Sequence, residues 1–284
     1  MTLTEIRAIL AERGLAPQRR FGQHFLHDEN LCRWLVREAG LGAGEAVWEI
    51  GPGLGSLTGA LIGAGHRVRA VEIDRGFARF LEERFGPGGM LEVFEADAVA
   101  FCESGRLRGR VVMGNLPYNV TTPLIMALVS GGAVSEMLFM VQEEAADRLV
   151  AQPGEPDYGA VSVLVQSRCR VAFLRRVSPS VFYPEPAVDS AIIRLSALQQ
   201  APDDAAFTQL KVFVKRGFSN KRKQLAKLLA GWSPGTNRPP LDRSYWFSAL
   251  QSLGIRPDAR AEDLAPKSWQ ALAALPGGPE TKIS

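Results

Sequence analysis

The chain has 284 residues, 46% hydrophobic and 22% charged, the proportions of a soluble globular protein with room for one large domain and a smaller one. Its longest apolar runs are too short to span a bilayer, and Glu5 and Arg7 within the first apolar pattern argue against a signal peptide. Net charge is only +3, but residues 201–284 hold 13 Lys and Arg against 7 Asp and Glu, whereas the first 200 hold 20 against 23; the basic final third suggests a polyanionic partner, most simply nucleic acid.

Thr2 and Glu5 form a capping-box pattern for a first helix ending near Gly14. The segment Pro17–Leu26 follows, with Arg19, Arg20, Phe21, His24 and Phe25. It reads either as a loop touching cofactor and nucleic acid or as an arm packed on the core. Asp28 caps the next predicted helix, 29–39, with Gly40 closing it. Strand 46–50 runs into Gly51-Pro52-Gly53-Leu54-Gly55, which opens a helix. A glycine turn between strand and helix lets a ligand approach the backbone closely. The second strand, 67–74, ends on Glu72 and Asp74. Glu72 is the better partner for a ribose diol, and Asp74 suits a helix cap. Strand 91–95 is followed by Asp97, either an acceptor for an exocyclic amine or another cap.

The fourth strand, 111–114, delivers Asn115-Leu116-Pro117-Tyr118-Asn119 just before a helix. An amide oxygen and a backbone carbonyl can accept from an exocyclic amine, and a Tyr ring can stack on a flat base. The fifth strand, 137–141, precedes a helical stretch from Glu143 to Val150. Residues 152–159 are rich in turn formers, and an apolar stretch leads on to Cys169. Strands 171–174 and 191–195 flank Ser178–Pro186, whose prolines stiffen a loop carrying Phe182 and Tyr183. Phe182 is expected to be either a second aromatic wall for the base or a cover for the core. Residues 198–204 resemble a linker. Beyond it Phe207, Leu210, Val214 and Phe218 keep helical spacing beside Lys211, Lys215, Arg216, Lys221, Arg222, Lys223 and Lys227. Helices are expected around 243–253 and 266–275. The basic strip is either a solvated helix face or a surface that tracks phosphates.

Cys32, Cys102 and Cys169 are dispersed with no CxxC pair, which argues for a reducing compartment and hence a cytoplasmic protein. His24 and His27 lack an accompanying Cys or carboxylate cluster, so no metal is expected.

The strand, the glycine turn and the acid at the end of strand two serve either a dinucleotide or S-adenosylmethionine (SAM). The residues downstream decide. Asn115–Tyr118 offers no acid or base for hydride chemistry but suits methyl transfer to an amine. The N6 nitrogen of adenine is a poor nucleophile because its lone pair is delocalised into the ring. Acceptors at the Asn115 amide and the Leu116 carbonyl would favour a more tetrahedral nitrogen and its developing positive charge. Pro117 stiffens the motif, Tyr118 would stack on the base, and the base would have to leave its stack.

The ordered set FGQHFL, EIGPGLGSLT, Glu72, Asp97, NLPYNVTTPL, PSVFYPEPAVDSAIIRL and FSNKRKQL resembles the KsgA/RsmA family of bacterial small-subunit (16S) rRNA adenine-N6,N6-dimethyltransferases, from about Phe21 onward. The resemblance implies a Rossmann-like class I SAM-dependent methyltransferase domain, with a seven-stranded, mostly parallel sheet, over residues 1–200 and including an N-terminal arm, 1–27. A smaller all-α, basic, RNA-binding domain is implied over 201–284. It implies SAM contacts at His24, Leu26, Gly51, Gly53, Glu72, Asp97 and Asn115, and S-adenosyl-L-homocysteine as product. Asn115, Leu116, Pro117, Tyr118 and Phe182 would do the chemistry. Arg19, Arg20, Lys215, Arg216, Lys221, Arg222 and Lys223 are expected on RNA. The implied substrate is a pair of adjacent adenosines in the 3′-terminal hairpin loop of 16S rRNA, met in the immature small subunit by a monomeric enzyme. Macrolide-resistance methyltransferases, DNA adenine methyltransferases and an assembly factor without turnover are the rival readings. Leu116 and Pro179–Leu195 favour the small-subunit enzyme over the first two, and the intact set Gly51, Glu72, Asp97 and Asn115 argues against the third.

Overall fold

Short apolar strands that alternate with helices can bury both faces only as a parallel sheet covered by those helices. The computed structural model, which describes residues 1–18, 22–220, 222–233 and 240–275, has that architecture. The chain divides into two units, Met1–Ala146 with Val171–Ala197, and Asp147–Arg170 with Leu198–Ser284.

The strands are β1 (Phe25–Leu26), β2 (Ala46–Ile50), β3 (Arg67–Glu72), β4 (Leu91–Glu95), β5 (Gly109–Asn115), β6 (Val134–Gln142), β7 (Cys169–Val177), β8 (Phe182–Tyr183) and β9 (Ser190–Ala197), all in the first unit but for the first two residues of β7. Seven of them form one sheet in the order β4-β3-β2-β5-β6-β9-β7, and β1 and β8 form a separate antiparallel ribbon. The sheet is parallel from β4 through β6, and β9 runs antiparallel to β6. The order therefore reverses between β2 and β5, which opens a crevice beyond their carboxyl ends, where sheets of this kind bind ligands. Gly114 stands opposite Ile50 in that pairing, and a Cβ there would run into the Ile50 carbonyl, so only glycine lets β5 lie so close at the reversal.

The helices of the first unit are α1 (Leu3–Arg13), α2 (Glu29–Glu38), α3 (Ser56–Gly63), α4 (Arg75–Phe85), α5 (Ala98–Glu103) and α6 (Thr121–Gly131). The starts of α1, α2, α4 and α5 are set by side-chain caps, each worth about 1 kcal/mol. Thr2 and Glu5 close a capping box on α1, and Asp28 accepts from Leu31 N at the start of α2. The predicted strand 67–74 stops at Glu72, and Asp74 turns out of it to accept from Gly76 N and Phe77 N at the start of α4. The main core joins Leu31 and Leu35 of α2 and Leu57 and Leu61 of α3 to Val47, Val68, Met113, Leu138 and Ile192 of the sheet.

Helix α7 (Glu143–Val150) follows β6. The second unit then contains α8 (Ala160–Arg168), α9 (Asp204–Gly217), α10 (Leu225–Leu229), α11 (Arg243–Ser252) and α12 (Pro266–Ala273). This division differs from an expected boundary at residue 200, because 147–170 lies with the C-terminal helices. Tyr158, fully buried, donates its hydroxyl to the Leu264 carbonyl, and Gln270 donates to the Ser167 carbonyl. The apolar stretch before Cys169 is thus a helix whose partners lie about a hundred residues downstream, as the two separations of 106 and 103 residues show. Among the described residues no helix is long and apolar enough to cross a membrane.

Candidate functional site

A cavity of roughly 1030 Å³, counting its open mouth, occupies the β2–β5 crevice. Its walls come from the glycine turn, the ends of β3 and β4, the start of the 115–120 segment and the residues Gly22–Leu26. Gly51, Gly53 and Gly55 all have left-handed backbone, with φ of 65°, 55° and 79°. At Gly53 the need for glycine is also steric, since a Cβ would stand 2.9 Å from the Phe25 ring. A Cβ at Gly51 would project toward the Asn115 carbonyl and the Pro117 ring, each 3.8 Å away.

Glu72 closes the floor and is only 4% exposed. Its two oxygens accept from Gly53 N (3.0 Å) and Asp74 N (2.9 Å), so the carboxylate ties the glycine turn to the end of β3. Burial pushes this carboxyl up to about 7, against the lowering effect of those two hydrogen bonds. Lone pairs remain for donors such as a ribose diol. Asp97 is exposed at the cavity rim and caps α5 through Oδ1, which accepts from Ala100 N at 2.9 Å. The two roles foreseen for Asp97 are compatible, because capping employs a single oxygen. Glu49 was not anticipated as a site residue. It lines the cavity, is 2% exposed, accepts from the Thr58 hydroxyl at 2.7 Å, and is raised to about 7, mainly by burial and further by Glu72. The signal was present: a carboxylate one residue before Ile50-Gly51 in a strand buried on both faces has to face a ligand or a partner.

Asn115 ends β5. Its Nδ2 donates to the His24 carbonyl at 2.7 Å. A carbonyl can only accept, which fixes which end of the amide points there and reserves Oδ1 as the acceptor. Leu116 is buried, and its N–H donates to the Met140 carbonyl. Pro117 lines the cavity, and its carbonyl accepts from Val120 N and the Thr121 hydroxyl, tying the segment to the start of α6. The Tyr118 hydroxyl shares a hydrogen bond of 2.9 Å with the Ser190 hydroxyl, and burial raises its phenol above the ordinary value. His24 and Leu26 also line the cavity, His24 directly beside Asn115. The Leu26 carbonyl accepts from the Ser56 hydroxyl.

The chain matches the ribosomal RNA adenine dimethylase family over residues 15–268. It belongs to that family. It is 41% identical over 266 residues to the ribosomal RNA small subunit methyltransferase A of Rubrobacter xylanophilus, covering 93% of this chain and 96% of the relative. It is 40% identical over 263 residues to that of Bordetella bronchiseptica, covering 90% and 92%. Among solved structures, a dimethyladenosine transferase from Plasmodium falciparum superposes with a TM-score of 0.75 at 25% identity, covering 88% of this chain and 96% of the other. The 23S rRNA methyltransferase ErmE shares the fold, with a TM-score of 0.66 at 24% identity over 88% of this chain and 98% of the other. The fold is that of class I SAM-dependent methyltransferases, and the protein is an rRNA adenine dimethyltransferase of the small subunit.

This dimethylase site fits the cofactor its family implies. The turn leaves room where a Cβ would intrude, buried carboxylates face the cavity, and Val71, Leu57 and Met140 supply apolar walls. Among the described residues no group of three or more His, Cys, Asp or Glu could hold a metal. Phe182 differs from its expectation as a second wall. It is 3% exposed, pairs with Leu26 across the β1–β8 ribbon, and belongs to the main core. The ring beside Tyr118 is instead the imidazole of His24.

In the helical unit Lys215, Arg222 and Lys223 are exposed. Arg216 is half-buried and donates through Nε to the Leu228 carbonyl at 2.8 Å, so part of it is committed to joining α9 to α10. Arg19, Arg20 and Lys221, also expected on RNA, lie outside the described residues.

Proposed function

We propose that the cavity holds SAM and that the Asn115–Tyr118 segment receives the target adenine beside it. The cofactor supplies an already activated methyl group on a sulfonium. What the protein must add is alignment. Gly51 and Gly53 allow close approach of the ligand to the backbone, Glu72 accepts from the ribose hydroxyls, and Asp97 accepts from the exocyclic amine of the cofactor's adenine through the oxygen not used in capping. His24 and Leu26 also line the cofactor. Asn115 Oδ1 and the Leu116 carbonyl hold the two hydrogens of the target N6, which favours a tetrahedral nitrogen and the charge that develops on it. Tyr118 supplies the stacking face, and Phe182 supports the site from the core through its pairing with Leu26. The methylated nitrogen then sheds its proton without a strong base. The observation that carries this reading is the Asn115 hydrogen bond to His24, which leaves the amide oxygen as the acceptor.

We further propose that the sheet-bearing unit binds SAM and the helical unit binds RNA, with Arg19, Arg20, Lys215, Arg216, Lys221, Arg222 and Lys223 on phosphates. The substrate is two adjacent adenosines of the 3′-terminal hairpin loop of 16S rRNA in the immature small subunit, and methylation there acts as an assembly checkpoint. The enzyme works as a cytoplasmic monomer. Incubation of unmethylated small subunits with SAM, followed by nuclease digestion and mass spectrometry, tests the position. Dimethyladenosine at two neighbouring residues of that hairpin is expected, and modification confined to any other segment would refute the assignment.

A further inference from the structure

This inference rests on the base-pocket reading above. The Tyr118 ring, assigned to stacking on the base, already carries an aromatic neighbour. The His24 imidazole lies against it with centroids 5.4 Å apart and planes inclined by 27°. Offset aromatic pairs hold at such separations. The imidazole is fixed from a second direction, since its Nδ1–H donates to the Pro184 carbonyl at 2.6 Å. The Tyr118 ring is itself anchored by its hydroxyl to Ser190. His24 also accepts, through its backbone carbonyl, from Asn115 Nδ2. One residue therefore sets both halves of the pocket, the amide and the stacking face.

We propose that His24 is a positioning residue that stands in for the target base: its ring covers Tyr118 until a flat heteroaromatic base takes its place, while its carbonyl keeps the Asn115 oxygen turned to accept. The two functions are separable. Any side-chain substitution keeps the backbone carbonyl and the orientation of Asn115, but only an aromatic side chain keeps the stack. Because an arriving base exchanges one stack for another, its apparent affinity is lowered by what the imidazole contributes, roughly two- to tenfold for an aromatic pair. That cost is the same for every base, so the displaced ring weakens binding uniformly and leaves the ranking of flipped bases to their own stacking and hydrogen bonds.

The test uses the full chain with isotope-labelled histidine, in which only three such residues must be told apart. His24→Asn assigns the His24 ring signals, and Tyr118→Leu shows their position without the stack. Addition of S-adenosylhomocysteine and an RNA hairpin with two unpaired adenosines is expected to move the wild-type His24 signals to their Tyr118→Leu position. Signals that stay in place while the hairpin binds would overturn the inference. Steady-state kinetics at saturating SAM give a second readout. His24→Ala and His24→Asn should lower the KM for small subunits two- to tenfold, whereas His24→Phe should raise it. An unchanged or higher KM in both small variants would overturn the proposal. Failure of the wild-type protein to methylate small subunits would instead refute the base-pocket reading beneath it.

Discussion

Replacing Glu72 with Gln changes one atom and separates the roles of its carboxylate. In the native protein both oxygens accept, from Gly53 N and Asp74 N. A Gln amide can accept at only one end, so one of those buried N–H groups would face an NH₂ group, at a cost of about 1–3 kcal/mol. An opposing effect depends on pH. Burial raises Glu72 from 4.5 to about 7, so the folded protein binds a proton there that the unfolded chain releases. The stability that protonation contributes is complete below pH 4.5 and is lost as pH rises through about 7, a span worth about 3 kcal/mol. Glu72→Gln removes this loss. Urea melts should therefore find the variant less stable than wild type at about pH 5 and nearly equal at about pH 8. Cofactor affinity should behave differently. Donors to a charged acceptor are worth about 1.5–3 kcal/mol, so titration calorimetry with S-adenosylhomocysteine at about pH 8 should show roughly 10- to 100-fold weaker binding. Affinity within about twofold of wild type, with an unaltered pH profile of stability, would refute both the ribose role and the cause assigned to the raised carboxyl.

Other outcomes follow from the same geometry. Asn115→Ala should reduce turnover by about a hundredfold or more, the scale of losing a preorganised acceptor, while small-subunit binding in a filter assay stays within about threefold. Unchanged turnover would remove the role given to its amide. Gly53→Ala combines a φ of 55° with a Cβ 2.9 Å from Phe25. It should lower stability by about 1–2 kcal/mol or more and weaken cofactor binding, read by thermal melting and calorimetry. Changing Lys221, Arg222 and Lys223 together to Ala should weaken subunit binding and flatten its dependence on salt concentration. An unaltered salt slope would make the strip a solvated face only.

The ligand-binding half of the sheet is legible because four of its strands carry their own markers: Gly51–Gly55 after β2, Glu72 at the end of β3, Asp97 after β4 and Asn115 at the end of β5. These are local signals, and so are the caps at Thr2, Asp28 and Asp74. The less legible features depend on partners distant in the chain. Residues 160–168 are apolar on most sides and gave no helical periodicity. What places them is the set of distant helices that cover them, through contacts such as Tyr158 to Leu264. Phe182 reads equally well as a wall or as core, and only its register opposite Leu26 turns it inward. Glu49 is inconspicuous between Trp48 and Ile50 until the sheet closes around it. His24 was noticed as a possible cofactor contact, but its stack on Tyr118 joins segments 94 residues apart by their numbering and has no local signature.

The central claim is that this cavity delivers a methyl group to adenine in small-subunit rRNA. Its most direct test supplies SAM carrying a labelled methyl group to immature small subunits, large subunits and double-stranded DNA in parallel, with Asn115→Ala as the control. The account predicts label in small-subunit RNA as N6-methylated and N6,N6-dimethylated adenosine, and about a hundredfold less or lower still from the variant. Label confined to large subunits or DNA, or cofactor binding with no transfer to any of the three, would contradict it.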